Sequence, residues 1–168
     1  MSVLTAVEVA PCHRQLHKFG GSSLADAKCY QRVAAIMANY SQPGDLMVVS
    51  AAGSTTNQLI NWLKLSQSDR ISAHQAQQSL RRYQLDLIDS LLPEKKAEAL
   101  SQLFIEDLER LSALLDQPIN DATYAEVVGH GEIWSARLMS EVLAQTEMPS
   151  AWLDARLFLR AERAAQPQ

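Results

Sequence analysis

Three short stretches carry residue types suited to an anionic ligand. The first is Lys18-Phe19-Gly20-Gly21-Ser22-Ser23. Adjacent glycines let a backbone approach a ligand closely and adopt positive φ. Amides at a turn leading into a helix N-terminus attract anions, and Lys18 adds a compact positive charge suited to phosphate. A plain strand–turn–helix with a solvated lysine fits the same residues. The second stretch is Ala51-Ala52-Gly53-Ser54-Thr55-Thr56-Asn57, small and rich in hydroxyls. The third is Val127-Val128-Gly129-His130-Gly131-Glu132-Ile133-Trp134-Ser135. At helical spacing Glu132 falls on or near a face of small and apolar residues, with Val128 and Ala136 one turn to either side. A carboxylate there wants a cationic partner; a surface glutamate beside a kink is the other reading.

Each stretch needs an element to hold it. Gln15–Phe19 reads as a strand ending at the first turn, and 24–40 reads as a helix with Val33, Ile36, Met37 and Tyr40 at helical spacing. Ser41-Gln42-Pro43-Gly44-Asp45 is a stop. Leu46–Ser50 is a continuous apolar run, as in a strand buried on both faces. A helix beginning near Gln58 follows the second turn. Strand, small-residue turn and helix thus occur twice, the rhythm of a parallel α/β sheet, which gathers ligands at the carboxyl ends of its strands. Both turns are therefore expected on one edge of the sheet.

Two amphipathic helices come next. Ser72 is the expected N-cap of the first, with a stripe of Leu80, Tyr83, Leu87, Ile88 and Leu91. Pro93-Glu94 opens the second, with Leu100, Leu103, Phe104, Leu108, Leu111 and Leu115. These stripes read as core, and the pair is expected to pack antiparallel. A last helix is expected from about Thr123 to Ala144, capped by Asn120 or Asp121. Its glycines, Gly129 and Gly131, each cost a helix about 1 kcal/mol, so they imply close backbone contact or a late helix start. Met148–Ser150 reads as a turn, 151–155 as a third strand, 1–12 as a loose lead-in, and 156–168 as a mixed tail.

The 168 residues suit one domain with a sizeable core, and 47% hydrophobic with 20% charged residues is ordinary for a globular protein. A net charge of −4 with mixed signs gives no basic footprint for nucleic acid or for a membrane surface. Cys12 and Cys29 make no disulfide framework and are expected to be reduced in a cytoplasm. No signal peptide is expected, and no run approaches the roughly 18 apolar residues of a membrane span. Walker and dinucleotide fingerprints are absent. Cys12, His13, His17 and Cys29 match no standard zinc spacing, and no metal-binding residues are assigned.

Taken together, Lys18–Leu24, Val48–Asn57 and Gly129–Ala136 resemble, in order and separation, the first three signatures of the aspartokinases, within the amino acid kinase superfamily. Within that family the chain is similar to the N-terminal part of the bifunctional aspartokinase/homoserine dehydrogenases of the methionine branch. The resemblance implies a three-layer α/β sandwich with a mainly parallel sheet, truncated here to its N-terminal, aspartate-binding part. It implies Lys18 at the transferring phosphoryl group, Gly20, Gly21, Ser22 and Ser23 around phosphate oxygens, Ser50 and Thr56 near aspartate and phosphate, and Glu132 on the aspartate α-ammonium. Its substrates would be L-aspartate and ATP with Mg²⁺, its product 4-phospho-L-aspartate, and its full-length form a cytoplasmic homo-oligomer. NADP would enter only with a dehydrogenase half. The family's later signature, of the type T-T-L-G-R-G-G-S-D, is absent, so the isolated chain is expected to be inactive. Three parallel strands without their neighbours leave an exposed edge and an incomplete core, so it is also expected to be marginally stable or associated. Another phosphotransferase of the same fold and a non-catalytic binding module are the competing readings.

Overall fold

The computed structural model describes residues 14–146, 148 and 150–159. The lead-in over 1–12, Cys12, His13, Pro149 of the expected turn, and the tail from 160 lie outside them.

Two strands, β1 (Leu16–Phe19) and β2 (Leu46–Val49), pair in parallel with Leu16 opposite Leu46 and Phe19 opposite Val49. Helix α1 (Ala27–Tyr40) connects them. It starts later than 24 because Gly21–Leu24 forms a 3-10 turn and Asp26 is the N-cap, its carboxylate accepting from Cys29 N at 2.8 Å. The inward residues of α1 are Tyr30, Val33, Ala34 and Met37. Ile36 and Tyr40, read as part of that stripe, are 36% and 72% exposed.

The rest is helical: α2 (Thr55–Ser66), α3 (Arg70–Leu91), α4 (Glu94–Leu115) and α5 (Asp121–Ala144). The second turn therefore runs directly into α2 at Thr55, ahead of the expected start at Gln58. Asp69 caps α3 in place of Ser72. Its carboxylate accepts from Ile71 N and Ser72 N at 3.0 and 3.1 Å, and Ser72 Oγ donates to it at 2.6 Å. Leu92 closes α3 onto Ile88 O, and Pro93 caps α4 with φ −61°. This short connection folds α4 back on α3, with Gln84 and Ile88 facing Leu100 and Phe104. In α4 the expected stripe is buried except Leu103, which is 49% exposed. Asn120 caps α5, accepting from Thr123 N at 2.8 Å.

Helices cover one face of the sheet. Phe19, Met47 and Val49 pack on the core, with α5 against β2. The opposite face carries Leu16, Lys18, Leu46 and Val48, all exposed, so β2 is not buried on both sides as its apolar run suggests. Residues 151–154 are irregular and Ala155–Leu157 is a 3-10 turn, not a third strand. Asp154 caps that turn by accepting from Arg156 N at 3.0 Å, and Trp152 receives the Arg137 guanidinium over its ring at 4.9 Å. A short apolar stretch alone does not make a strand where no neighbour offers a ladder.

Candidate functional site

The β1 and β2 ladders continue into the two turns. Ser50 N donates to Phe19 O at 3.0 Å, and Gly53 N donates to Gly21 O at 2.9 Å. A Cβ on Gly21 would lie 2.7 Å from Ala51 O and 3.1 Å from Gly53 O, so glycine is what lets the turns meet. The positive φ expected of Gly20-Gly21 occurs instead at Gly53, φ +51°. Gly20 is extended, at φ −79°, and a Cβ there would meet nothing within 4 Å.

Helix α5 completes the group. It is helical through both glycines, and Gly131 allows the approach: a Cβ there would lie 2.7 Å from Ala51 Cβ. One residue on, Glu132 Oε1 accepts from Ala51 N at 3.3 Å. The Glu132 side chain is exposed and has no ion-pair partner among the described residues. The expected cation is therefore not supplied by these residues, and the carboxylate keeps most of its accepting capacity.

The hydroxyls divide into two sets. Those of Ser22, Ser23, Ser50 and Thr56 form no hydrogen bond among the described residues. Thr55, one position away, is fully buried: its hydroxyl donates to Ala52 O at 2.6 Å and accepts from Gln84 Nε2 at 2.8 Å. Lys18 is exposed near the end of β1, on the open face of the sheet, with no ion-pair partner among the described residues.

The two helix starts near the turns also differ. The N-terminus of α1 is occupied by the Asp26 carboxylate, whose pKa is lowered chiefly by the Cys29 amide. No side chain caps α2, which begins at the second turn. The positive end of a helix dipole is thus neutralised beside the first turn and left uncompensated beside the second. The expectation that the first turn would supply a helix N-terminus for an anion is corrected accordingly. There, the cation and the turn amides are what remain.

The sequence reading missed two groups. One is Tyr83 and Gln84, which reach the two turns from α3; Tyr83 reads as an ordinary stripe position and Gln84 falls outside the stripe as read. The other joins α4, α5 and the 154–156 segment. Asp107 accepts from Arg137 at 2.6 Å and from Trp134 Nε1 at 3.1 Å, and Glu126 accepts from Arg110 at 2.9 Å and Arg156 at 3.2 Å. His130 is fully buried. It donates from Nδ1 to Glu126 O at 2.6 Å, and Arg110 donates to its Nε2 at 2.6 Å, an arrangement that requires a neutral ring. Burial is the main reason its pKa lies below the ordinary value. Only Glu132, of the Gly129–Ser135 stretch, faces the turns through a hydrogen bond; His130 serves the helical side.

Comparison with known proteins bears on the family and the fold. The amino acid kinase family profile matches residues 13–167. The chain is 77% identical over 155 residues to the Escherichia coli (strain K12) bifunctional aspartokinase/homoserine dehydrogenase 2, covering 92% of this chain and 19% of that protein. It is 29% identical to the lysine-sensitive aspartokinase 3 of the same organism, covering 85% of this chain and 31% of that one. The fold matches the crystal structure of E. coli aspartokinase III in complex with aspartate and ADP, with a TM-score of 0.76, 24% identity, and coverage of 86% of this chain and 32% of that chain. The chain thus spans less than a third of each of these proteins, and it belongs to the amino acid kinase family.

Proposed function

We propose that this chain is the aspartate-binding part of an aspartate kinase, which transfers the γ-phosphoryl group of ATP to the β-carboxylate of L-aspartate. The observation that carries the reading is the meeting of the three stretches: Gly21 with Gly53, and Ala51 with Glu132. Lys18, Gly20, Gly21, Ser22 and Ser23 form the phosphate end. Ser50, Thr56 and Glu132 form the aspartate end, with Glu132 taking the α-ammonium as the cation it lacks among its neighbours.

The chemistry suits these residue types. A β-carboxylate oxygen forms the new bond to the γ-phosphorus while the bond from that phosphorus to the β–γ bridging oxygen breaks. ADP leaves with the electron pair, and no proton moves. The nucleophile is already an anion, so a general base is not needed. The obstacle is bringing two anions together, which calls for positive charge and alignment. Lys18 and the turn amides supply both. In this reading Mg²⁺ arrives on the phosphates of ATP.

The rest of the nucleotide site belongs to the longer polypeptide, as do any homo-oligomeric contacts and any NADP-dependent half. A coupled assay of ADP release tests the reading. The 168-residue chain alone gives no aspartate-dependent turnover, whereas a complete polypeptide carrying this segment does. Steady turnover by the short chain, or none by the long one, contradicts it. No helix among the described residues is long and apolar enough to cross a membrane.

A further inference from the structure

Two consecutive side chains of α3 reach the two ligand-facing turns by separate routes. Tyr83 Oη donates to Ala25 O at 2.9 Å, just after the first turn. The same oxygen lies against the second turn, where a Cβ on Gly53 would be 2.7 Å from it. Gln84 is 3% exposed, in a stripe otherwise filled by Leu80, Leu87, Ile88 and Leu91. A buried amide costs stability unless it is hydrogen-bonded, and Gln84 spends its Nε2 on Thr55 Oγ1. Thr55 in turn donates its only hydroxyl proton to Ala52 O. The chain of bonds runs from the rigid body of α3 to the carbonyl that precedes Gly53.

This relay also accounts for the division between the adjacent threonines. The Thr55 hydroxyl commits its one proton to Ala52 O and accepts from Gln84, so it holds the turn. Thr56, with no such bonds, is left for ligand.

We propose that Tyr83 and Gln84 are positioning residues, which set the separation between the phosphate end and the aspartate end of the site. The inference rests on the aspartate-kinase reading above. A geometric role is reasonable because in-line transfer is sensitive to misplacement on the order of 1 Å. Tyr83 links both turns, so its loss acts on their relative position and hence on turnover. The Gln84–Thr55 relay touches the second turn alone, so its loss acts on aspartate.

The test uses a complete polypeptide carrying this segment. Steady-state kinetics with aspartate and ATP varied separately, and thermal unfolding, are measured for Tyr83→Phe, Gln84→Met, Thr55→Val and Thr55→Ser. Loss of one hydrogen bond leads us to expect kcat down roughly tenfold in Tyr83→Phe. In Gln84→Met and Thr55→Val the KM for aspartate rises roughly five- to tenfold while that for ATP stays within about twofold. Thr55→Ser, which keeps the hydroxyl, remains near the wild type. If the variants melt at lower temperature but keep wild-type kcat and KM, the residues are merely structural and the inference is overturned. Should Gln84→Met fail to fold, the Thr55→Val and Thr55→Ser pair and Tyr83→Phe decide by the same criteria. A wild-type polypeptide with no aspartate-dependent ADP release removes the underlying reading itself, an outcome visible before any variant is compared.

Discussion

The helical half of the molecule and its sheet half are finished to different degrees. In the helical half, Leu59, Leu80, Leu111 and Val127 are fully buried, and capping residues close the starts of α1, α3 and α5. In the sheet half, the strands bury one face and expose Leu16, Leu46 and Val48 on the other. The proposed site lies where the halves meet, at turns held from the helical side by Tyr83, Gln84 and Gly131. The helices thus hold the turns of the proposed site while one face of the sheet stays open.

The largest expected effect tests this division directly. Leu111→Ala should cost about 2–5 kcal/mol in urea unfolding, as for other fully buried leucines. Val48→Ala, on the open face, should change stability by less than about 0.5 kcal/mol. Comparable losses at the two positions would break the comparison.

The glycines sharpen it. Gly53→Ala forces a side chain into positive φ and against Tyr83 Oη, and should cost about 1–3 kcal/mol. Gly20→Ala meets nothing within 4 Å and has an ordinary φ, so its unfolding midpoint should remain near that of the wild type. If the two substitutions were equally harmful, the second turn would not be the constrained one.

A smaller effect, of about 1.4 kcal/mol at most per pH unit, should come from His130. The unfolded chain binds a proton near pH 6.5, while the buried ring resists one. Its contribution to stability is therefore complete above that pH and declines as pH falls toward the lower folded-state pKa. Asp26, Asp69 and Asp154, held below their ordinary values by hydrogen bonds from Cys29, Ser72 and Arg156 respectively, act in a separate window below about pH 4. Unfolding midpoints between pH 7.5 and 5.5 should fall in the wild type and level off in His130→Gln. The same slope in both would place the titration elsewhere.

Much of the site was legible because its parts are local. Lys18 to Ser23 and Ser50 to Thr56 follow apolar runs, and the rule that parallel strands present their carboxyl ends together joins them. Glu132 stood out as a carboxylate among small and apolar residues. Tyr83 did not, because a stripe position reads as core whether or not its polar atom reaches a turn, and Gln84 was left out of the stripe because a polar residue gives no sign of burial. Asp107, Arg110 and Arg137 are brought together only by packing of α4 on α5, which spacing along either helix does not reveal. The false strand at 151–155 and the exposed face of β2 share one cause. An apolar run reports what a segment can bury, and whether a neighbour is there to bury it is a tertiary fact.

The central claim is that one site has two ends, phosphate at Lys18 and aspartate at Glu132. Its most direct test is steady-state kinetics of Glu132→Gln and Lys18→Met in a complete polypeptide carrying this segment. Loss of a charge-assisted contact should raise the KM for aspartate at least about tenfold in Glu132→Gln while leaving that for ATP nearly unchanged. Lys18→Met should instead lower kcat by roughly 100-fold or more, as for loss of a charge that stabilises the transferring phosphoryl group. A Glu132→Gln enzyme with an unaltered KM for aspartate, or with both KM values raised alike, would contradict the account.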